Sequence, residues 1–259
     1  MSANTPGNFC WFELGTTDLE GAKSFYGTLF GWKVEVNADA GMPYAMGYAD
    51  GACICGLYEL SPEMTANNVP PHWMTYVAVQ DVDATAAKVG ELGGAVVAGP
   101  FDVATHGRMA AFSDPTGAHV SAWQPRDHRG ADAVGPVNTF CWSELWTRDR
   151  DASEAFYKQL FGWGLEHKDT GEMPYGEWTN GGVPIGGMLQ MTEQFGQAPP
   201  CWMPYVHVAD CRASVVQVKE LGGTVMCEPM DIPDVGPFAI VQDPQGATLA
   251  LVTLTSMKP

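Results

Sequence analysis

Two glutamates stand at equivalent places in two similar sequence segments. Glu13 lies in FCWFELGTTD and Glu144 in FCWSELWTRD. A carboxylate buried inside a protein can have a raised pKa and act as a general base. These two residues are therefore the candidate catalytic groups. The same residue type also forms structural salt bridges and backbone hydrogen bonds or lies at the rim of a pocket, and the sequence leaves those alternatives open.

Two histidines are candidate polar contacts for a ligand. His119 and His207 each fall inside a short apolar segment, and the equivalent positions in the other half hold Thr248 and Ala78. A buried histidine either meets a ligand or satisfies both ring nitrogens within the core. The sequence does not choose between these roles. The remaining histidines, including His72, His128 and His167, are predicted to lie in loops without a role.

An internal repeat determines the organisation. Residues 9–35 match residues 140–166, and residues 71–94 match residues 200–223 in the same order. The repeat is too long for a solenoid unit and has the length of a domain. We therefore predict one domain over 1–125, a linker over 126–139 and a second domain over 140–259.

Each half reads as two β-α-β-β-β modules. Asp18 is a predicted N-cap for a helix from Leu19 to Leu29 that ends at Gly31, and a second helix spans Val82 to Leu92. Short alternating segments before and after these helices predict strands. The chain thus contains four modules.

Strand alternation predicts which side chains face inwards. The first strand of each module should turn every second residue away from its helix, and the last strand should do the same. The predicted ligand-binding residues are Trp11, Met74, Tyr76, His119, Ser121, Trp123, Trp142, Met203, Tyr205 and His207. Most of them are aromatic or thioether side chains, which suit flat or apolar ligands. The same side chains could instead simply fill the sheet's interior.

Charge and cysteine content limit the partners. The net charge of −17 opposes binding to nucleic acid or to an anionic membrane. Seven cysteines are an odd number, and the sequence shows neither a signal peptide nor an apolar stretch of about 18 residues. We expect a cytoplasmic protein with a small-molecule ligand, without nucleic-acid or membrane partners. Monomer and homodimer both remain open.

The sequence resembles the vicinal-oxygen-chelate superfamily, which includes glyoxalase I, extradiol dioxygenases and bleomycin-resistance proteins. The matching motifs are TTDxxxAKxFYxxLFGW at 16–32, TxDxxxSEAFYxxLFGW at 147–163, and the turns DPTG and DPQG. The resemblance implies an α+β fold: four βαβββ modules form two domains, each a curved mixed sheet around a pocket with helices outside.

The same resemblance implies positions for metal ligands. In the metal-dependent members, His, Gln or Glu occupy these positions on the inner strand faces. Here the six positions hold Trp11, Met74, Ser121, Trp142, Met203 and Ala250. Indole and methyl groups do not coordinate hard cations, and a thioether is a soft ligand. We therefore predict no metal site and no cofactor.

Three functions remain. The first is metal-independent binding, or sequestration, of a small aromatic or amphipathic metabolite or antibiotic. The second is a divalent-metal-dependent lyase, isomerase or dioxygenase with ligands at other positions, such as Glu13, His119, Glu144 or His207. The third is that one half supports the other or an oligomer. The sequence does not identify the ligand.

Overall fold

The computed structural model describes residues 5–37, 43–168 and 174–255. Four βαβββ modules follow one another, as the sequence predicts. The first two consist of β1 Phe9–Thr16, α1 Leu19–Phe30, β2 Lys33–Asn37, β3 Tyr44–Ala49 and β4 Ala52–Glu59, then β5 His72–Ala78, α3 Val82–Glu91, β6 Ala95–Val103, β7 Gly107–Ser113 and β8 His119–Pro125. A short helix that the sequence analysis did not predict, α2 Pro62–Ala66, lies between them.

The last two modules repeat this plan. They consist of β9 Phe140–Thr147, α4 Arg150–Phe161, β10 Gly164–Lys168, β11 Tyr175–Asn180 and β12 Val183–Gln190, then β13 Cys201–His207, α5 Cys211–Glu220, β14 Thr224–Ile232, β15 Gly236–Gln242 and β16 Thr248–Val252. His72 and His167 therefore lie in strands, and the prediction of loops at these two positions was wrong. The loop assignment overlooked that each histidine simply extends the end of a strand.

The strands form two eight-stranded mixed sheets. The first has the order β2-β3-β4-β1-β5-β8-β7-β6, and the second has the equivalent order β10-β11-β12-β9-β13-β16-β15-β14. Parallel pairing of β1 with β4 and of β5 with β8 follows from the helix that crosses over within each module. The α+β fold with two such sheets is confirmed.

Aspartates and glycines set the helix ends. The Asp18 and Asp149 carboxylates accept hydrogen bonds from backbone amides in the first turns of α1 and α4. Gly31 and Gly162 end these helices in the left-handed conformation, which glycine adopts without steric cost. None of the helices in the described ranges is long and apolar enough to cross a membrane.

The chain packs into two compact units that each draw on both halves of the sequence. Unit 1 contains Met1–Trp11, Met74–Gly130 and Trp142–Met203, and unit 2 contains Phe12–Trp73, Ala131–Cys141 and Pro204–Pro259. The sheets follow the sequence halves, whereas each unit combines modules from different halves.

A buried polar chain lies inside unit 2. The Tyr26 hydroxyl of α1 donates a hydrogen bond to Asp243 Oδ2 over 2.9 Å and accepts one from Trp73 Nε1 over 2.9 Å. Asp243 belongs to the DPQG turn and also accepts from the backbone amides of that turn. The repeated tyrosine of the FYxxLFGW motif therefore joins a helix of the first module to a turn of the fourth.

Unit 1 contains the equivalent residues. Trp202 Nε1 donates to the Tyr157 hydroxyl over 2.7 Å, and burial together with the charge of Asp114 raises the pKa of Tyr157 well above its ordinary value. Buried polar groups need partners, so this arrangement explains why both repeats carry the tyrosine, the tryptophan and the aspartate.

One aromatic residue departs from simple alternation. Strand alternation predicts that Phe9 faces inwards with Trp11, which lies two residues further along the strand. It packs instead at 5.1 Å edge-to-face with Trp202 and at 5.5 Å with Trp163, inside the aromatic core of unit 1. It is the first residue of its strand, where the alternation of the sheet does not yet fix the direction of a side chain.

Candidate functional site

A linked set of polar aromatic side chains surrounds Glu144, and we call Trp142, Glu144, Trp146 and Tyr175 the Trp142 face. Trp146 Nε1 donates to Glu144 Oε1 over 2.7 Å, and the Tyr175 hydroxyl also hydrogen-bonds this carboxylate. Trp142 Nε1 donates to the Tyr175 hydroxyl over 3.3 Å. Glu144 is buried, while the Trp142 and Tyr175 rings are half-buried. The face thus offers two partly accessible rings above a carboxylate.

Gly187 makes room for this arrangement. It is the cross-strand neighbour of Glu144, and a Cβ atom there would lie 2.1 Å from the Tyr175 hydroxyl oxygen and 3.1 Å from Glu144 Oε2. The tyrosine ring therefore lies directly over the glycine to reach the carboxylate. Burial and the Glu144 charge raise the pKa of Tyr175 far above its ordinary value, so the phenol remains protonated as the donor.

Sulfur side chains lie near this face on the neighbouring strand. Met203 is buried on β13, and Cys201 is two residues before it. Burial, with the nearby Glu144 charge adding to it, raises the pKa of Cys201 to about 12. A thiol with such a pKa stays protonated at neutral pH and is a poor nucleophile. This cysteine therefore contributes apolar volume.

Unit 2 contains the equivalent cluster around Glu13. The Tyr44 hydroxyl donates to Glu13 Oε1 over 2.8 Å. Gly56 is the cross-strand neighbour of Glu13, and a Cβ there would lie 2.0 Å from the Tyr44 hydroxyl. The Glu–Tyr–Gly arrangement thus occurs in both halves, and each glutamate has a structural hydrogen-bond partner.

The clusters around Glu13 and Glu144 each contain a further aromatic residue, and this residue lies on a different strand in each half. In the first half Gly15 is paired with Tyr58, and in the second half Trp146 is paired with Leu189. A Cβ on Gly15 would lie 2.8 Å from the Tyr58 hydroxyl, so the large ring has moved from one strand to its neighbour. Burial, together with the charge of Glu13, raises the pKa of Tyr58. The large ring thus lies on β4 in the first half and on β9 in the second half.

The first half of the chain contributes a different face to unit 1, and we call Trp11, Tyr76, Ser121 and Trp123 the Trp11 face. Tyr76 and Ser121 are cross-strand neighbours on β5 and β8. All four side chains are buried. Trp11 and Trp123 both contact the ring of His128, at centroid distances of 4.5 Å and 5.9 Å. Sequence patterns assign no role to His128, and its contacts with both indole rings become visible only in the structure.

The other candidate residues lie in mixed environments. Met74 is half-buried on β5, and His119 is exposed at the start of β8. Tyr205 and His207 are buried on β13. His207 Nδ1 lies 2.8 Å from the Gly135 carbonyl oxygen within unit 2. This histidine therefore has a hydrogen-bond partner in the predicted linker.

A surface depression of about 560 Å³ lies elsewhere, lined by Thr17, Glu59, Leu60, Pro62, Thr65 and Ala66. It is wide open and carries none of the predicted site residues. The aromatic faces suit a small-molecule ligand better, because they combine large rings with specific polar atoms.

Two family models match the chain. The model described as "Glyoxalase/Bleomycin resistance protein/Dioxygenase superfamily" matches residues 9–121, and the model described as "Glyoxalase-like domain" matches residues 141–252. A Mycobacterium tuberculosis protein named "Putative glyoxylase CFP32" is 37% identical over 247 residues and covers 93% of each chain. The chain belongs to this glyoxalase superfamily. Each family model matches one half of the tandem repeat, and each half forms one of the two sheets.

Other relatives and structures are similar over the whole length. The "Anthracycline biosynthesis protein DauV" of Streptomyces sp. strain C5 is 33% identical, covering 100% of this chain and 98% of its own. The Mn(II)-bound glyoxalase of Novosphingobium aromaticivorans has a TM-score of 0.65 at 17% identity, covering 96% of this chain and 82% of its own. The 2,2',3-trihydroxybiphenyl 1,2-dioxygenase of Sphingomonas wittichii RW1 has a TM-score of 0.65 at 15% identity, with 96% and 91% covered. At such identities, the two structures show a shared fold.

The residues of this glyoxalase-superfamily chain do not fit a divalent ion. The strand positions implied for ligands hold indole, thioether, hydroxyl and methyl groups. Within the described ranges, no three His, Cys, Asp or Glu side chains lie close enough to hold an ion together. A divalent site needs several convergent donors of these types. We therefore derive no reaction step through a metal.

Proposed function

We propose that the protein binds a small aromatic or amphipathic metabolite or antibiotic without a metal ion. The observation that carries this proposal is the Trp142 face. The half-buried Trp142 indole occupies a position that holds a metal ligand in other superfamily members, and the Tyr175 phenol lies beside it. Flat rings stack on such side chains, and the buried Glu144 carboxylate adds a polar contact that orients the ligand.

The relatives support an aromatic ligand. A protein named for anthracycline biosynthesis aligns with the entire chain. Anthracyclines are flat polycyclic aromatic compounds, and their chemistry matches faces rich in tryptophan and tyrosine. The net charge of −17 further favours ligands that are neutral or cationic over anionic ones.

The metal-dependent alternative has less support. Glu13 and Glu144 each accept hydrogen bonds from aromatic donors, and His207 contacts a backbone carbonyl. These groups are engaged separately, so binding is the function that the geometry favours.

The seven cysteines all fall in the described ranges and none forms a disulfide, which fits a reducing compartment such as the cytoplasm.

Replacing Trp142 tests the proposal. The planar cation 9-aminoacridine is a suitable probe, because it can stack on the indole and lie near the Glu144 carboxylate. We expect Trp142→Ala to weaken its binding by about tenfold, as the loss of one stacking partner costs about 1.4 kcal/mol. Trp142→Phe should retain most of the affinity. Isothermal titration calorimetry measures both constants.

The exposed Phe101 on β6 provides a matched control. Phe101 is 45% exposed on an edge strand of the first sheet, whereas Trp142 lies on β9 inside the second sheet. Phe101→Ala should leave the affinity for 9-aminoacridine unchanged. Equal losses for Phe101→Ala and Trp142→Ala, or no binding by the unaltered protein, would show that the Trp142 face is not the ligand site.

A further inference from the structure

Ser121 indicates where a polar ligand atom belongs on the Trp11 face. Its side chain is fully buried, and its Oγ has no hydrogen-bond partner among the described residues. A buried hydroxyl without a partner is costly, and native structures rarely retain one without a reason. Ser121 lies two residues before Trp123 on β8, so both side chains point to the same side of the sheet.

The segment after β8 covers this face with a ring and a carbonyl group. The His128 imidazole meets the Trp11 indole edge-to-face at 4.5 Å, with an interplanar angle of 83°. The His128 carbonyl oxygen accepts a hydrogen bond from Trp123 Nε1 over 3.0 Å. A planar ring and an acceptor oxygen thus occupy the positions that a ligand of the same shape would need.

Backbone contacts hold this segment, and the His128 side chain is the part that covers the face. The backbone amides of Arg126 and His128 both donate to the His106 carbonyl over 3.0 Å. Gly130 has a positive φ of 106°, and a Cβ there would lie 2.3 Å from the Cys10 carbonyl oxygen. The segment therefore passes very close to β1, where only glycine fits. The Asp127 amide also donates to the Thr105 carbonyl over 3.4 Å, so the backbone is held on both sides of the His128 ring. The His128 imidazole can therefore leave the Trp11 face by a side-chain rotation while the backbone stays in place.

We infer that the Trp11 face is a second binding site, specific for a planar aromatic ring bearing a carbonyl group, and that His128 occupies it until such a ligand displaces the imidazole. The ligand carbonyl takes over the Trp123 indole N–H and gains the Ser121 hydroxyl as a further donor. This inference rests on the proposed function, because it assigns a ligand class to the other aromatic face.

The second half of the chain lacks this combination. The positions equivalent to Ser121 and Trp123 hold Ala250 and Val252, which offer no donor. The two faces therefore differ in chemistry. The Trp142 face presents a carboxylate to its ligand, and the Trp11 face presents two hydrogen-bond donors.

A pair of tricyclic compounds tests the inference. Fluorenone and fluorene share a planar frame, and only fluorenone has the carbonyl. We expect His128→Gly to bind fluorenone at least tenfold more tightly than the unaltered protein, with a smaller gain for fluorene. Adding Ser121→Ala should reduce the preference for fluorenone over fluorene, since only the Trp123 indole N–H then remains as a donor. Quenching of tryptophan fluorescence, with stoichiometry from calorimetry, measures these changes.

Two control variants and one replacement variant complete the test. His106→Ala removes an exposed histidine side chain while leaving its carbonyl, and it should change neither affinity. Trp142→Ala should leave fluorenone binding to His128→Gly intact. If His128→Gly does not fold, Trp123→Phe releases the His128 carbonyl while keeping a ring. It should raise fluorene affinity and leave a weaker preference for fluorenone, since only the Ser121 hydroxyl then donates.

The outcomes separate the inference from the proposed function. A folded His128→Gly protein with unchanged affinity for both compounds overturns the inference that His128 occupies a binding site, whether or not the protein binds 9-aminoacridine. Loss of 9-aminoacridine binding in Trp142→Ala together with a gain of fluorenone binding in His128→Gly supports two separate sites. A gain that is equal for fluorene and fluorenone contradicts recognition of the carbonyl.

Discussion

Gly187→Ala should lower the free energy of unfolding by about 2–4 kcal/mol. The new Cβ would lie 2.1 Å from the Tyr175 hydroxyl oxygen, so the ring must leave its position over the glycine. Overpacking costs about 1–3 kcal/mol, and loss of a hydrogen bond to a buried carboxylate costs about 1–3 kcal/mol more. Urea denaturation followed by circular dichroism measures the change.

The same substitution should also weaken 9-aminoacridine binding, since Trp142 loses its contact with the Tyr175 hydroxyl. Gly90→Ala is the control, because a Cβ at this helix position meets nothing within 4 Å. It should be neutral or slightly stabilising, since alanine favours a helix. A Gly187→Ala protein as stable as Gly90→Ala would mean that Tyr175 does not lie over the glycine.

Tyr26→Phe should destabilise the protein by about 2–3 kcal/mol at neutral pH. The substitution leaves Asp243 without its side-chain donor and Trp73 without its acceptor, and both are buried. Tyr48→Phe is the control, because this half-buried hydroxyl makes no hydrogen bond to any residue that the structure describes. Its cost should stay below about 0.5 kcal/mol.

The penalty of Tyr26→Phe should depend on pH. Burial raises the pKa of Asp243 above its ordinary value, and donors including the Tyr26 hydroxyl pull that pKa back down. Without Tyr26 the pKa rises further, so the folded variant takes up a proton more readily than the unaltered protein. The penalty is therefore full above the pKa of Asp243 and shrinks as the pH falls through it. A penalty that is constant between neutral pH and pH 4 would contradict this coupling.

Local patterns predict most of the fold. Asp18 and Gly31 bound the first helix in the sequence as they do in the structure, because capping depends on a few adjacent residues. The fourfold βαβββ order likewise follows from the repeat. The exception Phe9 lies at a strand end, where long-range aromatic packing with Trp163 and Trp202 overrides alternation.

The candidate sites depend on contacts that sequence patterns do not encode. Tyr26 and Asp243 hydrogen-bond each other although they lie 217 positions apart in the sequence, so no local signal connects them. The exchange of Tyr58 for Trp146 is visible only once the strands are paired. His128 follows a strand in a polar linker, and its contact with Trp11 depends on the path of the backbone past Gly130.

The most direct test of metal-independent binding is a titration with 9-aminoacridine before and after chelation. Protein dialysed against EDTA should bind the probe with the same dissociation constant as untreated protein, and added Mn²⁺ or Zn²⁺ should not change it. The rings and the carboxylate of the Trp142 face supply the contacts without an ion. Binding that disappears with EDTA and returns in proportion to added metal would contradict the account.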